Sequence, residues 1–188
     1  MQNSNTSNYI YSENIINMKS ELLCREAEDD FFYFNKINSA YKKLNEAVKL
    51  SPFHTKSIML LADICFIKGY TKKALSLYKR AAELHENAKV YGAIAACYNA
   101  LNDYKKALDA CNKAASLIKF EENALFSQIA ELKINILIEM KKYKLAYIIY
   151  SRIQNVMDNT SAQLINYENL MEKINLQKKL KQSKLKIV

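Results

Sequence analysis

Apolar side chains in the middle of the chain recur at positions i, i+3, i+4 and i+7, which places them on one face of a helix. One such set is followed, after a short gap, by a second set with the same spacing. Gly69 lies in the gap, where the end of a helix favours a residue that tolerates positive φ. The pattern therefore predicts two amphipathic helices joined by a tight turn. Their apolar positions are Ile58, Leu61, Ala62 and Cys65 in the first helix, and Ala74, Leu77, Tyr78 and Ala81 in the second.

The same two-helix pattern returns along the chain. The alanine near the start of each second helix recurs at separations of 34, 33 and 39 residues, as Ala40, Ala74, Ala107 and Ala146. A period near 34 residues, stretched once by an inserted loop at residues 119–123, indicates an array of helix pairs. The apolar positions of the third pair are Tyr91, Ile94, Ala95 and Tyr98, then Ala107, Cys111 and Ala114.

These units resemble tetratricopeptide repeats. That family has a large residue, Leu, a small residue and Tyr on the first helix, then Ala, an aromatic residue, Ala and Pro on the second. The two central units match most of this pattern. The first unit matches only in its second half, through Ala40, Ala47 and Pro52, and the fourth keeps Ala146 and Tyr150. Degenerate outer units are typical of repeats that cap an array.

The resemblance implies an all-α fold: a right-handed α-solenoid of about four helix pairs with a C-terminal capping helix. Residues 1–11 are predicted to be a disordered N-terminus, and Ser12 is a candidate cap for the first helix. Ser161 is a candidate cap for the last helix. The predicted segments are the array at 12–160, with units of about 21–54, 55–87, 88–126 and 127–160, the capping helix at 161–182 and a basic tail at 183–188.

The scarcity of chain breakers excludes several classes of protein. The sequence has two glycines and one proline, too few for a dinucleotide fingerprint, a phosphate loop or a nucleophile elbow. The two histidines, His54 and His85, fall near predicted helix ends and are interpreted as turn residues rather than ligands. Asp29–Asp30 and Glu121–Glu122 are adjacent acidic pairs, and the first is a poor acid/base pair because adjacent helical residues point apart. We expect no enzyme activity, no metal and no cofactor.

The chain is basic, with 28 Lys and Arg against 19 Asp and Glu, a net charge of +9. Only three of the basic residues are arginines, which disfavours a nucleic-acid partner because such surfaces usually use the arginine fork. Six lysines and no acidic residue lie between Lys173 and Val188. This segment is either a solvated tail or an electrostatic tether to an acidic partner.

The four cysteines form no C-x-x-C pair and fall on apolar helical faces, which is typical of free, buried thiols. They favour a reducing compartment, and we expect a cytoplasmic protein. The polar N-terminus lacks the apolar segment of a signal peptide. The longest apolar stretch, residues 58–67, is interrupted by Asp63 and is too short to span a membrane. The cysteines are Cys24, Cys65, Cys97 and Cys111.

The resemblance also implies a concave groove lined by the first helix of each pair. On each first helix, the residues that do not occupy core positions form a candidate binding face. Residues one repeat apart form three ladders on it: Asp29 with Asp63, Phe32 with Phe66, and Lys56 with Lys89. The small residues Gly92–Ala93 and Ala95–Ala96 are expected to leave room for a ligand backbone. The candidate groove residues are Arg25, Asp29, Phe32, Lys56, Met59, Asp63, Phe66, Lys89, Gly92, Ala96, Asn99, Glu131 and Asn135.

For any single residue of this set, the alternative interpretation is a solvated charge or a core aromatic ring. Some members of the family hold the C-terminal carboxylate of a chaperone with Lys and Asn on the first helix. The corresponding residues here are Arg25 and Asp29, or Met59 and Asp63. Because an aspartate repels a carboxylate, that clamp is disfavoured.

We expect a non-enzymatic adaptor or scaffold whose groove binds a protein segment or peptide of another protein. Two alternatives stay open. One is a secretion chaperone of the type III class, although those chaperones are usually acidic and the pI here is about 9.2. The other is a permanent structural subunit of a larger complex, with a neighbouring subunit in the groove.

Overall fold

A computed structural model describes residues 3–119 and 123–156, together with residues 172 and 175. Eight α-helices and no strands are found in those ranges. Short turns reverse the chain between successive helices, and each helix packs against the next. The helices are α1 (Asn3–Phe32), α2 (Ile37–Leu50), α3 (Thr55–Ile67), α4 (Thr71–Leu84), α5 (Ala88–Ala100), α6 (Tyr104–Leu117), α7 (Asn123–Glu139) and α8 (Tyr143–Val156).

The helices form four pairs, α1–α2, α3–α4, α5–α6 and α7–α8, stacked in chain order. The first helices of neighbouring pairs also touch one another, since α1 contacts α3 and α5 contacts α7. The result is the all-α solenoid that the periodicity predicts. The first helices form one layer and the second helices form the other.

The turn inside each pair contains one residue whose backbone has a positive φ, in the left-handed helical region. In the last three turns, the amide that follows this residue donates to the carbonyl five positions earlier, at 2.8–2.9 Å. This bond closes a Schellman motif, which satisfies a carbonyl at the helix end. The left-handed residues are Asn35 (φ 50°), Gly69 (φ 79°), Asn102 (φ 60°) and Lys141 (φ 58°), so the repeat is visible in the backbone as well.

Small residues hold the paired helices close together. Ala62, Ala74 and Ala81 are fully buried at the α3–α4 crossing, and the α5–α6 crossing has fully buried alanines at the equivalent positions. Small side chains allow helix axes to approach closely. A separate apolar cluster of Ile134, Leu137, Ala146 and Tyr150 joins α7 to α8.

The N-terminus differs from the expectation. Residues 3–11 belong to α1, whereas the sequence predicts a disordered segment at 1–11. The physical reason is that no glycine or proline interrupts the chain between Asn3 and Phe32. The predicted capping helix and basic tail lie outside the described residues, apart from Glu172 and Asn175, which are helical and exposed. The inserted loop at 119–123 lies partly outside them.

Candidate functional site

Helix α3 shows how the candidate groove arises. Seven of its thirteen residues are buried against neighbouring helices. The remaining stripe faces away from the core, with Lys56 exposed and Met59, Asp63 and Phe66 half-buried. The same face of α1 and α5 has a similar character. None of the candidate groove residues predicted from the sequence is fully buried.

On α1 the groove face is open and longer than predicted. Arg25, Asp29 and Phe32 are exposed. The stripe continues towards the N-terminus through three exposed apolar side chains that the sequence analysis did not assign to the groove. They are Leu22 (53% exposed), Met18 (69%) and Ile15 (64%). Their spacing matches that of the groove residues, and this spacing is the signal that identifies them.

Asp63 is not the free surface charge that the sequence suggests. Its carboxylate is half-buried and accepts a hydrogen bond from the Tyr78 hydroxyl of α4. Burial raises the pKa of Asp63, while the Tyr78 bond and the nearby Lys89 ammonium act in the opposite direction. Tyr78 is itself only 3% exposed, and burial together with Asp63 raises its pKa. Asp63 therefore links α3 to α4 at the floor of the groove.

At Gly92, where the sequence predicts room for a ligand backbone, the position of the missing side chain faces α7. A Cβ atom built on Gly92 lies 3.4 Å from Cγ1 of Ile129 on α7. The missing side chain is matched by a neighbouring helix, which approaches at contact distance. The small residue at this position serves the packing of α5 against α7.

Asn99 lies at the other end of the same stripe. Its side-chain oxygen is buried and accepts no hydrogen bond from any part of the chain that the structure describes. An unpaired buried acceptor costs about 1–3 kcal/mol. Asn99 and Ala96 are both half-buried on the same face of α5.

The remaining candidate residues differ in how freely they are presented. Lys56 is exposed but forms an ion pair with Glu28 at 2.8 Å. Lys89, on α5, is exposed and contributes positive charge near Asp63. On α7, Glu131 is half-buried and Asn135 is exposed.

The predicted phenylalanine ladder joins two different environments. Phe32 is 65% exposed and contacts the Phe31 ring edge-on at 4.8 Å between centroids. Phe66 is half-buried and packs against the main core, as Met59 does. Both alternatives of the sequence analysis therefore apply: Phe32 is a surface ring and Phe66 is partly a core residue.

Comparison with solved structures identifies the architecture. A thermophilic tetratricopeptide-repeat protein of Thermus thermophilus superposes with a TM-score of 0.62 at 18% identity, over 82% of this chain and 81% of that one. YrrB, described as having an unusual peptide-binding site, gives 0.59 at 16% identity, over 71% of this chain and 66% of that one. This chain has the tetratricopeptide-repeat fold.

A third tetratricopeptide-repeat structure is the first such domain of Spaghetti (RPAP3), bound to the HSP90 peptide SRMEEVD. It superposes with a TM-score of 0.58 at 16% identity, over 65% of this chain and 94% of that one. At such low identity, the likeness shows the fold alone. No protein-family model and no curated protein sequence matches the chain.

A pocket of about 490 Å³ lies between α4, α5 and α6, on the side of α5 that faces away from the candidate groove. We call it the convex pocket, after the convex side of the array. Its aromatic residues are Tyr91 and Tyr98, and lysine ammonium groups lie over both rings. The ammonium groups of Lys79 and Lys106 are 5.4 and 5.6 Å from the centre of the Tyr98 ring. The Lys113 ammonium is 5.7 Å from the centre of the Tyr91 ring. The chain's own cations thus occupy the ring faces.

The thiols of the repeat array are poor nucleophiles. Burial raises the pKa of each one, to about 12 for Cys97 and about 11 for Cys111, with Asp63 adding to the effect at Cys97. Cys24 and Cys65 are shifted in the same direction by burial. Because the thiolate is the reactive form, these side chains behave as small core residues.

Two further observations limit the chemistry of the array. Within residues 3–119 and 123–156, no three His, Cys, Asp or Glu side chains come close enough to hold a metal ion. None of the helices in the same ranges combines the length and apolar character that a membrane crossing requires.

Proposed function

We propose that this protein is a non-enzymatic interaction module that binds a segment of another protein along the face of α1, α3 and α5. The observation that carries the proposal is the continuous stripe of exposed or half-buried side chains on α1, α3 and α5. A peptide lying on this stripe can pair with the exposed charges of Arg25, Asp29 and Lys89. Its apolar residues can pack on Leu22 and Phe32 of α1.

The mixture of charges favours an exchanging adaptor over a permanent subunit. Arg25, Asp29 and Lys89 are exposed on the groove face. Obligate interfaces are more apolar than this, whereas interfaces that form and dissociate have polar rims. The net charge of +9 argues against a type III secretion chaperone, a class that is usually acidic.

The four cysteines support a cytoplasmic location as part of this proposal. All four are free and buried. Free, buried thiols are typical of proteins in a reducing compartment.

The proposal is tested with two matched charge reversals. The groove variant combines Asp29→Lys with Lys89→Glu, and the control combines Lys79→Glu with Asp109→Lys beside the convex pocket. Each variant keeps the net charge of the chain, and all four side chains are exposed. Exposed charges contribute little to folding, so both variants should melt like the wild type.

Partners are captured from native lysate and their dissociation from each variant is measured. We expect the groove variant to bind about tenfold more weakly or worse, mainly through faster dissociation, and the control to bind normally. Loss of the partner through the control variant alone would place the binding site on the convex side. A partner that survives high salt on the wild type would indicate a permanent subunit.

A further inference from the structure

The turns that join the two helices of each pair all lie at one end of the solenoid. This follows from the alternating direction of the helices, since the chain reverses at every turn. We define the turn edge as segments 33–36, 68–73, 102–106 and 140–144. The described residues of the connections between pairs, at 51–56, 84–89 and 118–119, lie at the opposite end.

The charge of the two ends differs sharply. The turn edge contains nine lysines and one acidic residue, Asp103, whereas the described residues of the opposite connections contain three lysines and one acidic residue, Glu86. Asp103 is already paired with Lys106 at 2.6 Å. Of the lysines at the turn edge, Lys68 is half-buried and the others are exposed. The net positive charge of the array is therefore concentrated at the turn edge. We call its nine lysines the lysine row.

Direct contacts hold the first two turns side by side. The Lys68 ammonium donates to the Asn38 side chain at 2.6 Å, and the Lys73 ammonium donates to the Tyr41 hydroxyl at 2.8 Å. The rings of Tyr41 and Tyr70 lie 6.4 Å apart. The first two turns thus form a continuous surface.

Exposed rings lie beside these lysines. Tyr33 is 80% exposed, Phe34 is 61% exposed and Tyr70 is 50% exposed. The Lys36 ammonium lies 5.0 Å from the centre of the Phe34 ring. Tyrosine and lysine are both typical of the interface between water and lipid, where an amphipathic side chain keeps its polar end in water.

We infer that the turn edge binds the surface of an anionic membrane. The lysine row faces the lipid headgroups, and Tyr33 and Phe34 enter the interfacial layer. A nucleic acid fits the same edge less well, because its recognition favours the arginine fork. Arg25, Arg80 and Arg152, the three arginines of the chain, all lie outside the turn edge. The groove on α1, α3 and α5 is left free for a protein partner.

The lysine row is tested by combining Lys72→Glu, Lys105→Glu and Lys142→Glu, one substitution in each of three turns. Lys72 and Lys105 lie in the first turns of α4 and α6, where a glutamate suits the positive end of the helix dipole. The variant is therefore expected to fold. Its matched control reverses three exposed lysines near the opposite end: Lys49, Lys89 and Lys119.

The full-length chain is mixed with phosphatidylcholine vesicles that contain or lack phosphatidylserine, and sedimentation measures binding. A lysine near an anionic surface strengthens binding about fivefold, so the turn-edge variant should bind phosphatidylserine vesicles about a hundredfold more weakly. The control should bind far more tightly than the turn-edge variant, and added salt should weaken the wild type. Equal losses in the two variants would overturn the inference.

The aromatic contribution is tested with Phe34→Ser against Phe53→Ser, since Phe53 is 76% exposed at the opposite end. We expect only Phe34→Ser to weaken vesicle binding. The groove variant Asp29→Lys/Lys89→Glu should bind vesicles normally, which separates this inference from the proposed function. Tight binding of single-stranded RNA that depends on the lysine row but not on Phe34, with no binding to vesicles, would overturn the membrane assignment.

Discussion

At the scale of the residue, the two glycines have opposite roles. Gly69 adopts φ +79° with no atom within 4 Å of a built Cβ, so its backbone conformation, and not a lack of space, is what favours glycine. Gly92 lies within α5, where a Cβ would meet Ile129 at contact distance. The first glycine is needed for a turn, and the second is tolerated in a helix.

We therefore expect Gly69→Ala and Gly92→Ala to change stability in opposite directions. Alanine at 69 should cost roughly 1–2 kcal/mol because an L-residue is strained in the left-handed region. Alanine at 92 should gain up to about 1 kcal/mol from its higher helix propensity. Urea unfolding of both variants provides the measurement. Destabilisation by Gly92→Ala as large as that by Gly69→Ala would show that the α5–α7 contact is tighter than the structure indicates.

The same scale shows what a single sequence can and cannot reveal. Ala74 and Ala107 were predicted at helix crossings because the period placed them there, and both are fully buried. The role of Gly92 was missed because the inserted loop hides the register of α7 against α5. The bond from Tyr78 to Asp63 was missed because a helical pattern assigns a face but not the reach of a side chain from another helix.

At the scale of the element, two aspartates link helices in opposite electrostatic conditions. Asp30 on α1 accepts from Lys43 at 2.8 Å and from Ser39 at 2.7 Å, both on α2. These bonds hold the pKa of Asp30 below its ordinary value of 3.8. Asp63 on α3 has a pKa raised above that value by burial. The fold therefore stabilises the charged form of Asp30 and destabilises the charged form of Asp63.

The two aspartates should therefore respond to pH with opposite signs. The contribution of Asp30 is present above pH 3.8 and is lost as the pH falls through its lower folded pKa. The contribution of Asp63 is present below pH 3.8 and is lost as the pH rises through its higher folded pKa.

We expect Asp30→Asn to destabilise the protein at neutral pH. Asp63→Asn should stabilise it, because the amide still accepts from Tyr78 without a buried charge. Both differences should shrink in acid. Free energies of unfolding in urea at neutral and acidic pH check this result. The same sign for both variants at neutral pH would contradict the assigned environments.

The elements themselves were largely predictable, with one exception at each end of the chain's first helix. Tight turns at Gly69 and Asn102 follow from residues that tolerate positive φ, and both are left-handed. The start of α1 was not predicted because its polar N-terminal residues show no helical periodicity. The left-handed Asn35 at its far end was not singled out because the repeat is degenerate there.

At the scale of the whole molecule, the array presents two separate surfaces. The groove belongs to the faces of α1, α3 and α5, and the turn edge belongs to the ends of the helices. Along the sequence, the clearest excess of positive charge lies at residues 173–188, which contain six lysines and no acidic residue. The alternation of helix direction brings distant lysines to one end, and this gathering is visible only in three dimensions.

Such an arrangement suits an adaptor that binds a protein segment while it lies on a charged surface. The two proposed activities depend on different side chains, so we expect that each can be removed alone. Asp29 and Lys89 belong to the groove face, and Lys72 and Lys105 belong to the turn edge.

Site-specific photo-cross-linking tests the central claim, binding in the groove, most directly. A photoreactive phenylalanine analogue replaces Asp29, Lys89 or, as the control on the convex side, Asp109, which are all exposed. After irradiation in native lysate, mass spectrometry identifies the linked peptides. We expect positions 29 and 89 to link to neighbouring stretches of one partner, and position 109 to link to none of it. Cross-links to the partner from position 109 alone, or equally from all three positions, would contradict the account.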